Sequence, residues 1–332
     1  MVSKYRFVYP YVMSNIASTG TIKKSISKRY SKTDSERTLT VPIVLFVLTC
    51  FSTFWVGITN WRPTVPLQSP DLDSFFNLIR MQVLANWEQG LMYMASLLLI
   101  LLLHEFGHFF TTLYYRVPAT PPIFLPFPFN PIGTLGAVIG MQGTQADRKQ
   151  IFDIGIAGQL AGLVVAIPLA YWGCSQLDLT TPPRGGIGFR LPLLMQWMVS
   201  GMSIQGYDAA EPIVWINQLN PLFAAAWVGL LITGLNMMPV GQLDGGHIAY
   251  TLFGDAAKWI AEAMIVFAIA FMVYQQHYLL ILMVVLILLI GTQHPPTSDD
   301  TVKIGPWRWA LGFFSLFIPV LCFPPLVFTF VY

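Results

Sequence analysis

Long apolar runs, most near the length that crosses a bilayer, alternate along this chain with polar or proline-rich connectors. A helix needs about 20 apolar residues to traverse the hydrocarbon core. Residues 41–61, 91–115, about 151–173 and about 221–240 meet that need and predict four spans. Residues 256–274 predict a fifth and residues 278–290 a shorter sixth. Residues 309–330 predict a seventh, which Pro319, Pro324 and Pro325 break or make shallow. The expected class is an all-α polytopic membrane protein with about six to seven transmembrane helices.

Two connectors are more than loops. Residues 118–141 run through Pro121-Pro-Ile-Phe-Leu-Pro-Phe-Pro-Phe129 and then Gly133-Thr-Leu-Gly-Ala-Val-Ile-Gly-Met141. That stretch is too interrupted for a helix and too apolar for a solvated loop. A small re-entrant β segment is expected, sheltered by protein or a water-filled cavity. Residues 176–212 carry Asp178, Arg184, Arg190, Asp208 and Glu211, and their apolar middle, 191–199, suits a piece lying flat on the membrane.

Composition narrows the class further. Of 332 residues, 55% are hydrophobic and 10% charged, against roughly 25% charged in a soluble domain. Disorder, coiled coil and a nucleic-acid-binding surface are excluded. Eight of the 18 Lys and Arg precede residue 40, which predicts a basic cytosolic tail over 1–40; a transit peptide and a misassigned start are the alternatives. With that tail inside, the second span ends at the cytosolic face near Arg116 and the fourth near Gly241. The expected organisation is the tail, a first span and connector over 41–90, a central block of spans and connectors over 91–254, and C-terminal transmembrane helices over 255–332. Cys50, Cys174 and Cys322 have no metal-site spacing and read as small apolar residues.

Chemistry concentrates in the second span. His104 and His108 stand four apart, so both imidazoles leave one helix face, with Glu105 beside them. Two such nitrogens can bind a tetrahedral Zn²⁺ while the glutamate serves as general base. Charged groups within an apolar helix are costly, about 2.5–3.5 kcal/mol each on insertion scales, and usually functional. The position six beyond His108 is Tyr114, so a third histidine ligand does not follow there. Glu211 falls on the outer side, and Glu262 has no flanking motif. Asp153 and Asp244 both lie near cytosolic span ends. Asp244 is preferred for its setting, Asn236-Met-Met-Pro239-Val-Gly241-Gln-Leu-Asp244-Gly245-Gly246-His247, where Pro and Gly permit the helix break and close backbone approach that would bring it to the depth of His104.

His104-Glu105-Phe106-Gly107-His108 followed by Asn236-Met237-Met238-Pro239 and Leu243-Asp244-Gly245 resembles the site-2 protease family of intramembrane zinc metalloproteases. The similarity takes in Gly133–Ile139 and Phe152-Asp153-Ile154-Gly155-Ile156-Ala157-Gly158-Gln159-Leu160-Ala161-Gly162. The usual form of the latter has Pro where this chain has Gln159, a departure expected to alter only local helix geometry. The resemblance covers roughly residues 91–254, in the compact type without a PDZ domain.

The resemblance implies one Zn²⁺ on His104, His108 and Asp244, Glu105 as general base, and Asn236 as donor to substrate or oxyanion. It implies a substrate transmembrane protein extended against Gly136, Ala137, Val138 and Ile139. The expected activity is regulated intramembrane proteolysis, with the active site toward the cytosolic side of a bacterial inner membrane. The rival readings are a transporter of protons or metal ions, a proteolytically dead relative, and a different membrane zinc protease with a glutamate ligand.

Overall fold

The computed structural model describes residues 33–183, 186–275, 291–324 and 327–331. The sixth expected span, His277 and most of the basic tail lie outside the described residues.

Among the described residues, four helices are long and apolar enough to cross a membrane: α1 (Thr33–Ile58), α2 (Leu72–Tyr115), α3 (Arg148–Ser175) and α7 (Ala256–Gln275). Their outward faces stay apolar, with Leu99 and Phe110 on α2, Val164 on α3 and Val266 on α7 all exposed. The chain is a helical membrane protein, with two small sheets among the described residues.

Helix α2 starts far upstream of the expected residue 91. Its 44 residues reach about 66 Å at 1.5 Å per residue, twice the roughly 30 Å hydrocarbon core. Asp71 caps it by accepting from the Ser74 N–H at 2.8 Å. Its polar early turns also serve α1: Asn86 and Gln89 donate to the carbonyls of Ile58 and Gly57, each at 2.9 Å. Those carbonyls lie at the α1 C-terminus, where intrahelical partners run out. Gly57 and Gly90 let the two helices touch, since a Cβ on Gly57 would lie 2.7 Å from the Gly90 Cα.

Helix α5 (Pro221–Asn236) is apolar all round and buried on nearly every residue, so it runs inside the bundle rather than along its edge. Asn220 caps it through the Phe223 N–H at 2.8 Å, and Trp227, Phe223 and Leu230 fill the core that α2 and α3 share with it. It ends at Asn236, short of the expected residue 240. The chain then reverses through Gly241, whose φ of +54° suits glycine, and starts α6 (Asp244–Phe253). This break returns Asp244 toward the bundle.

The connector after α2 is a hairpin, as its composition suggested. Strand β1 (Ile123–Phe127) pairs antiparallel with β2 (Gly133–Val138), with a register irregularity between Phe124 and Pro126. Phe124 packs edge-on to Phe46 of α1, and Tyr93 of α2 donates to the Ile132 carbonyl at 2.7 Å. Among the described residues no third strand joins this sheet.

A second sheet has order β4 (Ile213–Trp215), β3 (Gly186–Arg190), β5 (Phe328–Val331). Between β3 and β4 lies the short helix α4 (Leu193–Gly201), with Met195 and Val199 buried. The expected seventh span is instead α8 (Pro306–Ser315), the short α9 (Ile318–Cys322) and strand β5. Prolines after Cys322 end helical structure, and the β-branched and aromatic residues that follow pair with β3. The three cysteines are free thiols.

Candidate metal centre

Helices α2, α3 and α6 converge at one buried point. From α2 come His104 and His108, each under 5% exposed; from α6 comes Asp244, with its side chain 20% exposed. The two Nε2 atoms are 3.2 Å apart, and Asp244 Oδ2 lies 3.7 Å from His104 Nε2 and 3.3 Å from His108 Nε2. Among the described residues this is the one group of three or more metal-ligating side chains.

The donor set fits zinc. Ligand atoms at about 2.0–2.2 Å from a tetrahedral ion stand roughly 3.3–3.6 Å from one another, and the three separations bracket that range. The tautomer agrees as well. His108 Nδ1 lies 2.8 Å from the Ile154 carbonyl; a carbonyl only accepts, so Nδ1 carries the proton and Nε2 presents its lone pair. With His104 Nε2 and Asp244 Oδ2 within 3.7 Å of each other and both beside it, that nitrogen belongs to a set of three atoms able to share one cation.

Helix α3 makes room for both rings by lacking side chains. A Cβ on Gly158 would meet His108 Nε2 at 2.1 Å, and one on Gly162 would meet His104 Nδ1 at 3.1 Å. Gly107 lets α2 approach α3 closely, since a Cβ there would come within 2.7 Å of the Ala157 carbonyl oxygen. Gly245 serves the α5–α6 turn, where a Cβ would sit 2.0 Å from the Met237 carbonyl oxygen.

Glu105 is 4% exposed on the same buried stretch of α2. Asn236, the last residue of α5, brings Nδ2 to 3.3 Å from His104 Nε2. Gly136, Ala137 and Val138 lie on β2, with Ile139 just past its end. No hydrogen bond or ion pair among the described residues joins those four to the His–Asp cluster.

Other candidates resolve differently. Asp153 is a structural tie: it accepts from Arg308 Nε at 2.7 Å and from a terminal Arg308 nitrogen at 3.0 Å, and from the Tyr115 hydroxyl. His247 faces His294, whose ring stacks on Tyr250. Glu262 pairs with Lys258 one turn away.

Gln159 was expected to affect only helix geometry, and here the structure corrects the sequence. Its Nε2 donates to Asp244 Oδ2 at 2.7 Å. The available signal was an amide side chain within an apolar helix, flanked by the glycines that clear the imidazoles.

Residues 92–280 match the family described as Peptidase family M50. Similar proteins include the "Probable zinc metalloprotease EGY1, chloroplastic" of Oryza sativa subsp. japonica, 29% identical over 86% of this chain and 50% of its own length. The Arabidopsis thaliana protein of the same name is 27% identical over 86% of this chain and 53% of its own length. The Arabidopsis "Probable zinc metalloprotease EGY2, chloroplastic" is 33% identical over 58% of this chain and 33% of its own length. The chain thus spans about half the length, or less, of these relatives.

Proposed function

The chain belongs to peptidase family M50, and from that premise we propose that it is an intramembrane zinc metalloendopeptidase hydrolysing peptide bonds in or near transmembrane segments of substrate proteins. The observation that carries this reading is the convergence of His104, His108 and Asp244, whose ligand atoms all lie within 4.8 Å of one another on apolar helices.

In this reading those three side chains hold the ion. When bound, zinc acts as a Lewis acid toward water and the scissile carbonyl. Glu105 takes a proton from the attacking water and returns it to the leaving amine nitrogen. Asn236 donates from Nδ2 to the carbonyl oxygen as negative charge develops on it. The buried helices around Glu105 keep bulk water from competing for these hydrogen bonds.

A substrate helix shields its own peptide groups, so it must unwind before attack. We assign that role to the hairpin: an extended substrate pairs along the free edge of β2, at Gly136, Ala137, Val138 and Ile139, and exchanges its helical hydrogen bonds for strand pairing. Residues 91–254 would form the catalytic core, with 41–90 and 255–332 supplying the remaining crossings to a total of six. The chloroplast names of the relatives give no support to the bacterial inner membrane expected from sequence; a chloroplast-type organelle membrane is the reading adopted.

The test is cleavage of a tagged single-span protein by the purified chain in proteoliposomes. Zinc-dependent cleavage, stopped by a chelator and restored by zinc, is expected. Ion flux without proteolysis would overturn the reading and favour a transporter.

A further inference from the structure

Gln159 is fully buried on α3, yet only half of its amide is paired. Nε2 donates to Asp244 Oδ2, while Oε1 has no hydrogen-bond partner among the described residues. An unpaired buried polar atom opposes folding. Leucine or methionine would fill a similar volume without that loss, so packing alone does not account for a glutamine here.

Asp244 needs an anchor. It opens α6 directly after the glycine-rich turn, and its carboxylate makes no other side-chain hydrogen bond or ion pair among the described residues apart from those facing the two imidazoles. A carboxylate oxygen has two lone-pair sites. Oδ2 can therefore hold the Gln159 N–H on one and share a cation with His104 and His108 on the other.

We propose that Gln159 is a positioning residue for the metal centre: its amide N–H locks the Asp244 carboxylate in the orientation that completes the ligand set with His104 and His108. This rests on the reading that those three residues hold zinc. Gln159 acts through Asp244 and touches no reacting atom.

The test uses the full chain purified in detergent, as parent, Gln159→Leu and Gln159→Met, with His104→Ala as control. Zinc affinity is measured by chelator competition, ligand geometry by the visible spectrum of the cobalt-substituted protein, and fold by the thermal midpoint without metal. Both variants should bind zinc roughly 10–100-fold more weakly and shift the cobalt bands, with metal-free midpoints equal to or above the parent's. Parental affinity and cobalt spectrum in both variants would overturn the proposal. So would metal-free midpoints that fall along with affinity, since Gln159 would then be structural. Failure of the parent to bind more zinc than His104→Ala would overturn the metalloprotease reading itself, and this proposal with it.

Discussion

His108 and Ile154 are joined by a 2.8 Å contact between the ring Nδ1 and the backbone carbonyl, and this bond leaves Nε2 as the nitrogen facing His104 and Asp244. The same turn of α3 supplies Gly158, whose missing side chain is what the ring occupies. Tautomer and position of one proposed ligand are therefore set by a helix that contributes none of the three proposed ligands.

Gly158→Ala follows directly. Its Cβ would fall 2.1 Å from His108 Nε2 and 2.4 Å or less from two ring carbons, so the imidazole must leave its place. Zinc affinity should drop at least about tenfold, in line with changes that displace a ligand's support. Gly162→Ala, with its contact at 3.1 Å to His104 Nδ1, should weaken binding less. Chelator competition on both variants checks the order; equal losses would contradict it.

Glu105→Gln removes the proposed base and keeps the shape. Turnover of a transmembrane substrate should fall about 10²–10⁴-fold, the range for general acid–base catalysis, with zinc content and thermal midpoint retained. Cleavage at the parental rate would remove Glu105 from the mechanism.

Asn236→Ala tests the oxyanion donor. Loss of one such donor lowers kcat by roughly 10²–10³. Zinc should stay bound, because Asn236 is a neighbour of His104 and not a member of the three-atom ligand set.

Asp153→Ala probes the fold away from the metal. The Asp153 and Arg308 side chains are 13% and 16% exposed and bond in bidentate fashion, tying α3 to α8 while Tyr115 adds α2. Removing one partner of a partly buried pair leaves the other charge uncompensated, so the thermal midpoint in detergent should fall. Arg308→Leu together with Asp153→Leu should recover much of that loss.

Local patterns carried a good part of this architecture. The i,i+4 histidines place two imidazoles on one face wherever that stretch is helical, and the Pro/Gly run before Asp244 announced a helix break. The proline-rich stretch before Gly133 ruled out a helix and was a hairpin. Relations between distant segments left no such trace. Gln159 meets Asp244 across 85 positions, and Arg308 meets Asp153 across 155. Strand β5 shows strand propensity only beside β3, and proximity to prolines had cast it as a broken span. The start of α2 was hidden because its early turns are polar, and those polar groups bind the end of α1.

Metal analysis of the purified chain bears most directly on the account. Zinc per chain and its affinity are measured for the parent and for His104→Ala, His108→Ala and Asp244→Ala. About one zinc per parent chain, lost or strongly weakened in each of the three variants, is the predicted result. Undiminished zinc binding by Asp244→Ala would contradict it, because the third ligand would then come from elsewhere in the chain.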